Sequence, residues 1–209
     1  MAKIVAFSGS PRKGGNTDLL LTHLLNILKS NGHEVELVRL ERSKIKGCMA
    51  CGVCREKKDL KCYSGNDFLN GCIAKMVDAD AIILGSPVYF ANITTEMKAL
   101  IDVAGYVTRG AGHLLAKKVG ASVVAVRRAG EISAFDAMNN FFLINQMIVP
   151  GSSYWNIAQG KQPGDVLKDE EGLATIQILA ENMSWLLDKI VPPKKKTKID
   201  KVVDQPTLF

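Results

Sequence analysis

The sequence is poor in aromatic residues, which fill 6% of its 209 positions, and it contains only three histidines. No apolar run approaches the roughly 18 residues that cross a bilayer. The opening Met-Ala-Lys-Ile-Val lacks the charged-then-apolar order of a signal peptide, so a cytoplasmic protein with no membrane association is expected. Strong charge of one sign is also missing. The formal balance is +6, and half of it belongs to the segment 192–209, where five lysines meet two aspartates. The remaining body is too mildly basic to imply nucleic acid as a partner. What is present, 47% hydrophobic and 23% charged residues, is the composition of one soluble domain with a full apolar core.

Alternating short β-branched runs and helical patterns organise the chain. Strands are expected over 3–8, 34–39, 81–86 and 119–126, with a fifth beginning at 147–149. Helices are expected over 17–30, 68–77, 95–103, 131–145 and 173–190. The first carries Leu21, Leu24, Leu25 and Leu28 on one face, and the last carries Leu179, Met183, Leu186 and Ile190. Parallel neighbours need crossovers and both sheet faces need cover, which predicts an α/β, doubly wound five-stranded parallel sheet over 1–191. The tail 192–209 follows Pro192-Pro193. It reads as a solvated basic extension, or as an arm that docks on a neighbouring subunit through Val202, Val203, Leu208 and Phe209.

The first chemical signal is the turn after strand one, Ser8-Gly-Ser-Pro-Arg-Lys-Gly-Gly-Asn-Thr17. It joins a strand to a helix N-terminus, where free N–H groups and the helix dipole favour an anion. Gly9 and Gly14 carry the spacing of a Walker A loop, but Gly15 replaces the lysine and no Ser or Thr beside it can hold magnesium. G-x-G-x-x-G is absent as well. A phosphate monoester held by hydroxyls is preferred over a plain capping turn with Asn16 or Thr17 as N-cap. The second signal, Gly85-Ser-Pro-Val-Tyr-Phe-Ala-Asn92, leaves the carboxyl end of strand three. In strand order 2-1-3-4-5, that end and the first turn flank the topological switch, where a ligand's crevice lies.

Together these motifs resemble the NADPH-dependent FMN reductases of the flavodoxin-like fold, over most of the first 190 residues. The resemblance implies that Ser8, Ser10, Arg12, Asn16 and Thr17 hold the FMN phosphate, while Pro87, Val88, Tyr89, Phe90 and Asn92 line the isoalloxazine. The loop Arg127-Arg128-Ala129-Gly130-Glu131 closes the other side through Arg127 and Gly130; many relatives carry a Gly-Gly pair where this chain has Ala129-Gly130. NAD(P)H becomes a possible donor, and a homodimer or homotetramer is implied.

The third signal is Cys48-x2-Cys51-x2-Cys54-x7-Cys62, within a cysteine-rich loop over 47–66. In a reducing compartment such a run suggests metal or redox chemistry before disulfides. Three thiolates at this spacing can curl round one corner of an iron–sulfur cubane, with a fourth closing the site. Zinc usually shows two separated C-x-x-C knuckles. The spacing resembles the compact motif of the iron–sulfur flavoproteins in the same family, which implies a [4Fe–4S] cluster. Zinc, a thiol redox pair and unmetallated cysteines remain open. Lys57, Lys58 and Lys61 either balance a four-thiolate cluster or form an ordinary solvated loop, and Cys72 reads as a buried core thiol beside Phe68. His23, His33 and His113 show no ligand spacing. Because the loop follows strand two, it is expected at the same edge of the sheet as the phosphate turn, bringing cluster and flavin to one side of the molecule.

The expected function is an FMN-dependent oxidoreductase that passes electrons between the cluster and FMN. It would be served by a redox partner such as a ferredoxin or NAD(P)H, and by a small-molecule acceptor. The alternatives are a cluster-free NAD(P)H-dependent FMN or quinone reductase and a zinc-stabilised flavodoxin-like electron carrier. No side-chain acid or base stands out as catalytic, because the cofactors carry the chemistry.

Overall fold

The computed structural model describes residues 1–40 and 45–192. Among them, strands β1 (Lys3–Ser8), β2 (Glu34–Arg39), β3 (Ala81–Pro87), β4 (Val119–Val126) and β5 (Ile157–Gln159) form one sheet in the order β2-β1-β3-β4-β5. Every neighbouring pair is parallel. Helices α1 (Asn16–Ser30), α2 (Val53–Lys57), α3 (Asp67–Asp78), α4 (Thr95–Gly110), α5 (Glu131–Ile144) and α6 (Glu170–Ile190) supply the crossovers and the cover.

The strand period of two sends alternate residues of β1 to opposite faces. Ile4 and Ala6 meet Leu20, Leu24 and Leu28 of α1, together with Leu179, Met183 and Leu187 of α6. Val5 and Phe7 meet the layer built by α3, α4 and α5, including Met76, Leu100 and Phe142. Both faces of the central strands are therefore dry, which is why β3 and β4 read as continuous apolar runs. On α6 the buried stripe runs through Ile176, Leu179, Ala180, Met183 and Leu187, whereas Leu186 is only partly buried and Ile190 is exposed. Among the described residues no helix is long and apolar enough to cross a membrane.

One strand differs from the expectation. The segment 147–149 makes a single parallel bridge, Ile148 to Val119, and then leaves the sheet at Pro150, which has no N–H to donate. The ladder resumes only where Val124 faces Ile157. Five positions on β4 thus span nine on the outer track, so four residues loop out between its two halves. The lysine-rich run and Val202, Val203, Leu208 and Phe209 lie outside the described residues.

Packing of α5 on β4 depends on close approach at Gly120, where a Cβ would stand 2.6 Å from Cγ of the fully buried Phe142. Gly120→Ala should lower stability by about 1–3 kcal/mol through overpacking. The check is the midpoint of a denaturant titration, with an unchanged slope expected.

Candidate functional site

The carboxyl ends of β1, β3, β4 and β5 open on one cleft. At its base, α1 begins with Gly15 as N-cap in extended geometry and with no side chain capping it. Asn16 and Thr17 are not the cap; they sit in the first turn. Asp18, 2% exposed, accepts hydrogen bonds from three segments: Ser8 Oγ at 2.5 Å, Gly14 N at 2.9 Å and Arg39 Nε at 2.7 Å. Ser8 therefore spends its hydroxyl beneath the turn and does not line the cleft. Ser10 Oγ accepts from Arg12 N at 3.2 Å, which shapes the turn. Thr17 Oγ1 is buried with no hydrogen-bond partner, and the exposed Arg12 makes no ion pair among the described residues.

The cleft has a volume of about 380 Å³. Ser10, Arg12, Asn16 and Thr17 line one wall, Pro87, Val88 and Tyr89 another, and Arg127 a third. Its remaining wall, Gly160-Lys161-Gln162-Pro163, was not anticipated from sequence. Placing the last strand ten residues too early hid the fact that this stretch leaves the same edge of the sheet. Asn16 clamps it: Nδ2 donates to Gln162 O at 2.9 Å, and Oδ1 accepts from Gly164 N at 2.8 Å. Among the described residues no carboxylate lines the cleft, and Arg12, Lys161 and Arg127 give it positive character.

Phe90, Asn92 and Gly130 do not line it. Tyr89 and Asn92 exchange backbone hydrogen bonds at 2.8 and 3.0 Å around a turn in which Phe90 and Ala91 are left-handed, at φ +47° and +55°. Phe90 consequently points fully into solvent. Asn92 Oδ1 accepts from Ile93 N. Gly130, at φ +91°, heads α5, and a Cβ there would stand 2.9 Å from Ala91 Cα, so it lets the two loops touch. A further tie is Thr94, whose Oγ1 donates to Gly9 O at 2.8 Å while its N–H donates to Ser86 Oγ at 3.2 Å. It locks the β1 turn to the loop after β3.

All four clustered cysteines line a second, much smaller cavity. Cys54 and Cys62 are buried; Cys48 and Cys51 are exposed. Backbone φ above zero at Ala50, Gly52, Lys58 and Leu60 lets the loop wind round this point. Asn70 of α3 holds Cys62 from behind, accepting from its N–H at 2.8 Å. Burial first, then the neighbouring Cys62, Cys48 and Cys51, pushes the Cys54 thiol up, so a bare cavity favours the neutral thiol there. Among the described residues no three His, Cys, Asp or Glu side chains converge as one metal ion requires. Cys72 stands apart in the core with Leu69, Ile73 and Met76; burial pushes its thiol up to about 11. Phe68 is exposed instead of sharing that face.

The cavity is sealed by Val103, Tyr106 and Val107 of α4. Tyr106 lies eleven residues beyond Thr95, about 16 Å along the helix at 1.5 Å per residue. The cysteine loop leaves the cleft's edge of the sheet but runs down the flank of α4, so its thiols do not sit beside the cleft. Asn16→Ala should release the 160–164 wall, since both of its side-chain bonds vanish. Faster amide exchange at Gly164, with the β1 and β3 amides unchanged, is the expected result.

The sequence model of the NADPH-dependent FMN reductase family matches residues 2–162. An iron–sulfur flavoprotein of Methanocaldococcus jannaschii is 36% identical over 195 residues, 90% of this chain and 98% of its own. One from Methanosarcina thermophila is 31% identical over 202 residues, covering 93% and 100%. Among solved structures, RosB with bound 8-demethyl-8-formylriboflavin-5'-phosphate superposes with TM-score 0.71 at 14% identity, covering all of this chain and 90% of that one. A flavodoxin from the domain Archaea superposes with TM-score 0.58 at 14% identity, covering 89% and 99%. At such identities the structural likeness establishes the flavodoxin-like fold alone. On its sequence, the chain belongs to the NADPH-dependent FMN reductase family of flavodoxin-like oxidoreductases and stands with its iron–sulfur flavoproteins.

Proposed function

We propose that this flavin-dependent oxidoreductase binds FMN in the cleft and a [4Fe–4S] cluster in the cysteine cavity, and passes electrons between the two. The observation that carries the flavin assignment is the buried, unpartnered Thr17 hydroxyl beside an uncapped helix start and the unpaired Arg12. A phosphate satisfies all three at once. Ser10, Arg12 and Thr17 would touch it. Ser8 and Asn16 are positioning residues, acting through Asp18 and the 160–164 wall. Pro87, Val88, Tyr89 and Arg127 would flank the ring, while Phe90, Asn92 and Gly130 shape the loops that carry those residues. Bound FMN supplies a ring that takes up two electrons together or one at a time. The chain's own groups orient it, exclude water from one side and hold its phosphate charge against Arg12.

For the second group, the donor set is the argument. Cys48, Cys51, Cys54 and Cys62 line one cavity, and their spacing lacks the two separated C-x-x-C knuckles usual for zinc. Four thiolates are the ligand set of a cubane, which these cysteines would hold and which would supply single-electron storage. The length of α4 between cavity and cleft gives the expected homo-oligomer a purpose, since a second copy can bring its cleft to these cysteines. The electron donor is a one-electron carrier such as a ferredoxin, or NAD(P)H, and the acceptor is a small molecule. The cluster-free NAD(P)H-dependent reductase is the competing reading, with the cysteines as plain thiols or a zinc site.

Arg12→Ala should weaken FMN by about tenfold or more while leaving riboflavin affinity nearly unchanged, because the lost contact is to phosphate alone. Fluorescence titration reads both; equal losses would remove the phosphate from this turn. After anaerobic reconstitution, serine at Cys48, Cys51, Cys54 or Cys62 should cost iron and acid-labile sulfide, whereas Cys72→Ser should retain both. FMN should still bind each variant, since the cleft shares no residue with the cysteine cavity. A wild-type protein that takes up only zinc would decide for the competing reading.

A further inference from the structure

Away from the cleft, the described residues gather several basic side chains around one opening. Arg55 of α2, Lys58 just after it, Arg109 in the last turn of α4 and His113 in the following loop surround an open depression of about 340 Å³, with Gly110 as its remaining lining residue. Among the described residues no Asp or Glu lines it.

These side chains are held by local structure. The Arg55 guanidinium lies 4.2 Å from the centroid of the Tyr106 ring. Its Cγ packs where a Cβ on Gly110 would be only 2.8 Å away, so the missing side chain at Gly110 admits it. Lys58 ends α2 in a left-handed conformation at φ +53°, with its N–H bonded to Cys54 O. His113 is likewise left-handed at φ +56°, and its Nδ1 is 3.5 Å from Gln146 Nε2. Arg109 Nε is buried and has no acceptor among the described residues.

A lone basic residue near the end of α4 is explained by the negative end of the helix dipole. That does not account for a second guanidinium and an ammonium gathered around the same opening, nor for a desolvated guanidinium N–H left unsatisfied. Like charges brought together repel, and a buried donor without an acceptor is costly. An oxyanion in the depression would offset the repulsion and offer acceptor oxygens to the guanidinium of Arg109.

We propose that Arg55, Lys58, Arg109 and His113 form a binding site for a phosphate-class oxyanion, separate from the flavin cleft. Two guanidinium groups and one ammonium match a dianion better than a single carboxylate. The planar guanidinium forks suit the paired oxygens of a phosphoryl group. Because Arg55 directly follows Cys54, the bound anion would lie next to the cysteine cavity. The site itself needs no group in that cavity, and it stands independently of the flavin assignment.

The test is calorimetric titration of the FMN-saturated full chain with inorganic phosphate at constant ionic strength, compensated with chloride. Saturable binding is expected, weakened about tenfold or more in Arg109→Gln and in the exposed Lys58→Gln. Lys58→Gln guards against a folding defect in the other variant, and both are to be matched to wild type by circular dichroism. Heats that only track ionic strength would mean diffuse screening and overturn the proposal. So would saturable binding that both variants retain, which would place the anion elsewhere. Saturation by a glutamate-rich peptide but not by phosphate would overturn the phosphate class.

Discussion

A single carboxylate buried under the first turn of α1 sets the geometry of the cleft. Asp18 gathers Ser8 from the end of β1, Gly14 from the turn and Arg39 from the end of β2. Each contact is charge-assisted, and Arg39 balances the charge from the far side of the loop. Removing one partner of a buried pair costs about 3–5 kcal/mol; with Arg39 partly exposed, the figure here lies at or below the bottom of that range. The arrangement also resolves a conflict. An anion-binding helix start would ordinarily be spoiled by a nearby acid, but this acid is turned away from the cleft and spent on three donors. The free donors, Thr17 Oγ1 and the uncapped first turn, remain on the open side.

Long apolar runs and glycine-rich turns made most of this frame legible in the sequence. β1 to β4 and α1 read directly because strands dry on both faces leave continuous apolar stretches, and Leu21, Leu24, Leu25 and Leu28 mark a single helical stripe. β5 did not read. Its three residues Ile-Ala-Gln are too short to show a period, while Met147, Ile148 and Val149 look more like a strand and do begin the outer track. Missing β5 concealed the fourth wall of the cleft. Thr94 and Asn70 were missed for another reason: their bonds reach Gly9, 85 residues away, and Cys62 across a turn, and no local pattern encodes such partners. Phe90 misled in the opposite direction. An aromatic after Tyr89 suggests a second ring wall, but two consecutive left-handed residues send it outward.

The cysteine spacing announced four thiols that share one cavity, but not where that cavity lies. Edge-of-sheet reasoning placed the loop correctly at its start, at the end of β2. The thiols nevertheless finish beside Tyr106, because α2 packs on α4 and winds the intervening segment down that helix. Sequence order gives where a loop leaves the sheet; its own packing decides where it goes.

Helix α4 therefore joins every polar site described. Its N-cap, Thr94, ties the β1 turn to the β3 loop, its middle seals the cysteine cavity, and its last turn presents Arg109. An apolar face of Met97, Leu100, Ala104 and Val107 anchors it in the core, so these three places sit at fixed positions along one rod. A rod of this length keeps cleft and thiols apart within one chain. Cys48 and Cys51 are exposed on the surface flanking this rod, whereas the cleft opens at its N-terminal end, where Thr94 ties the β1 turn to the β3 loop.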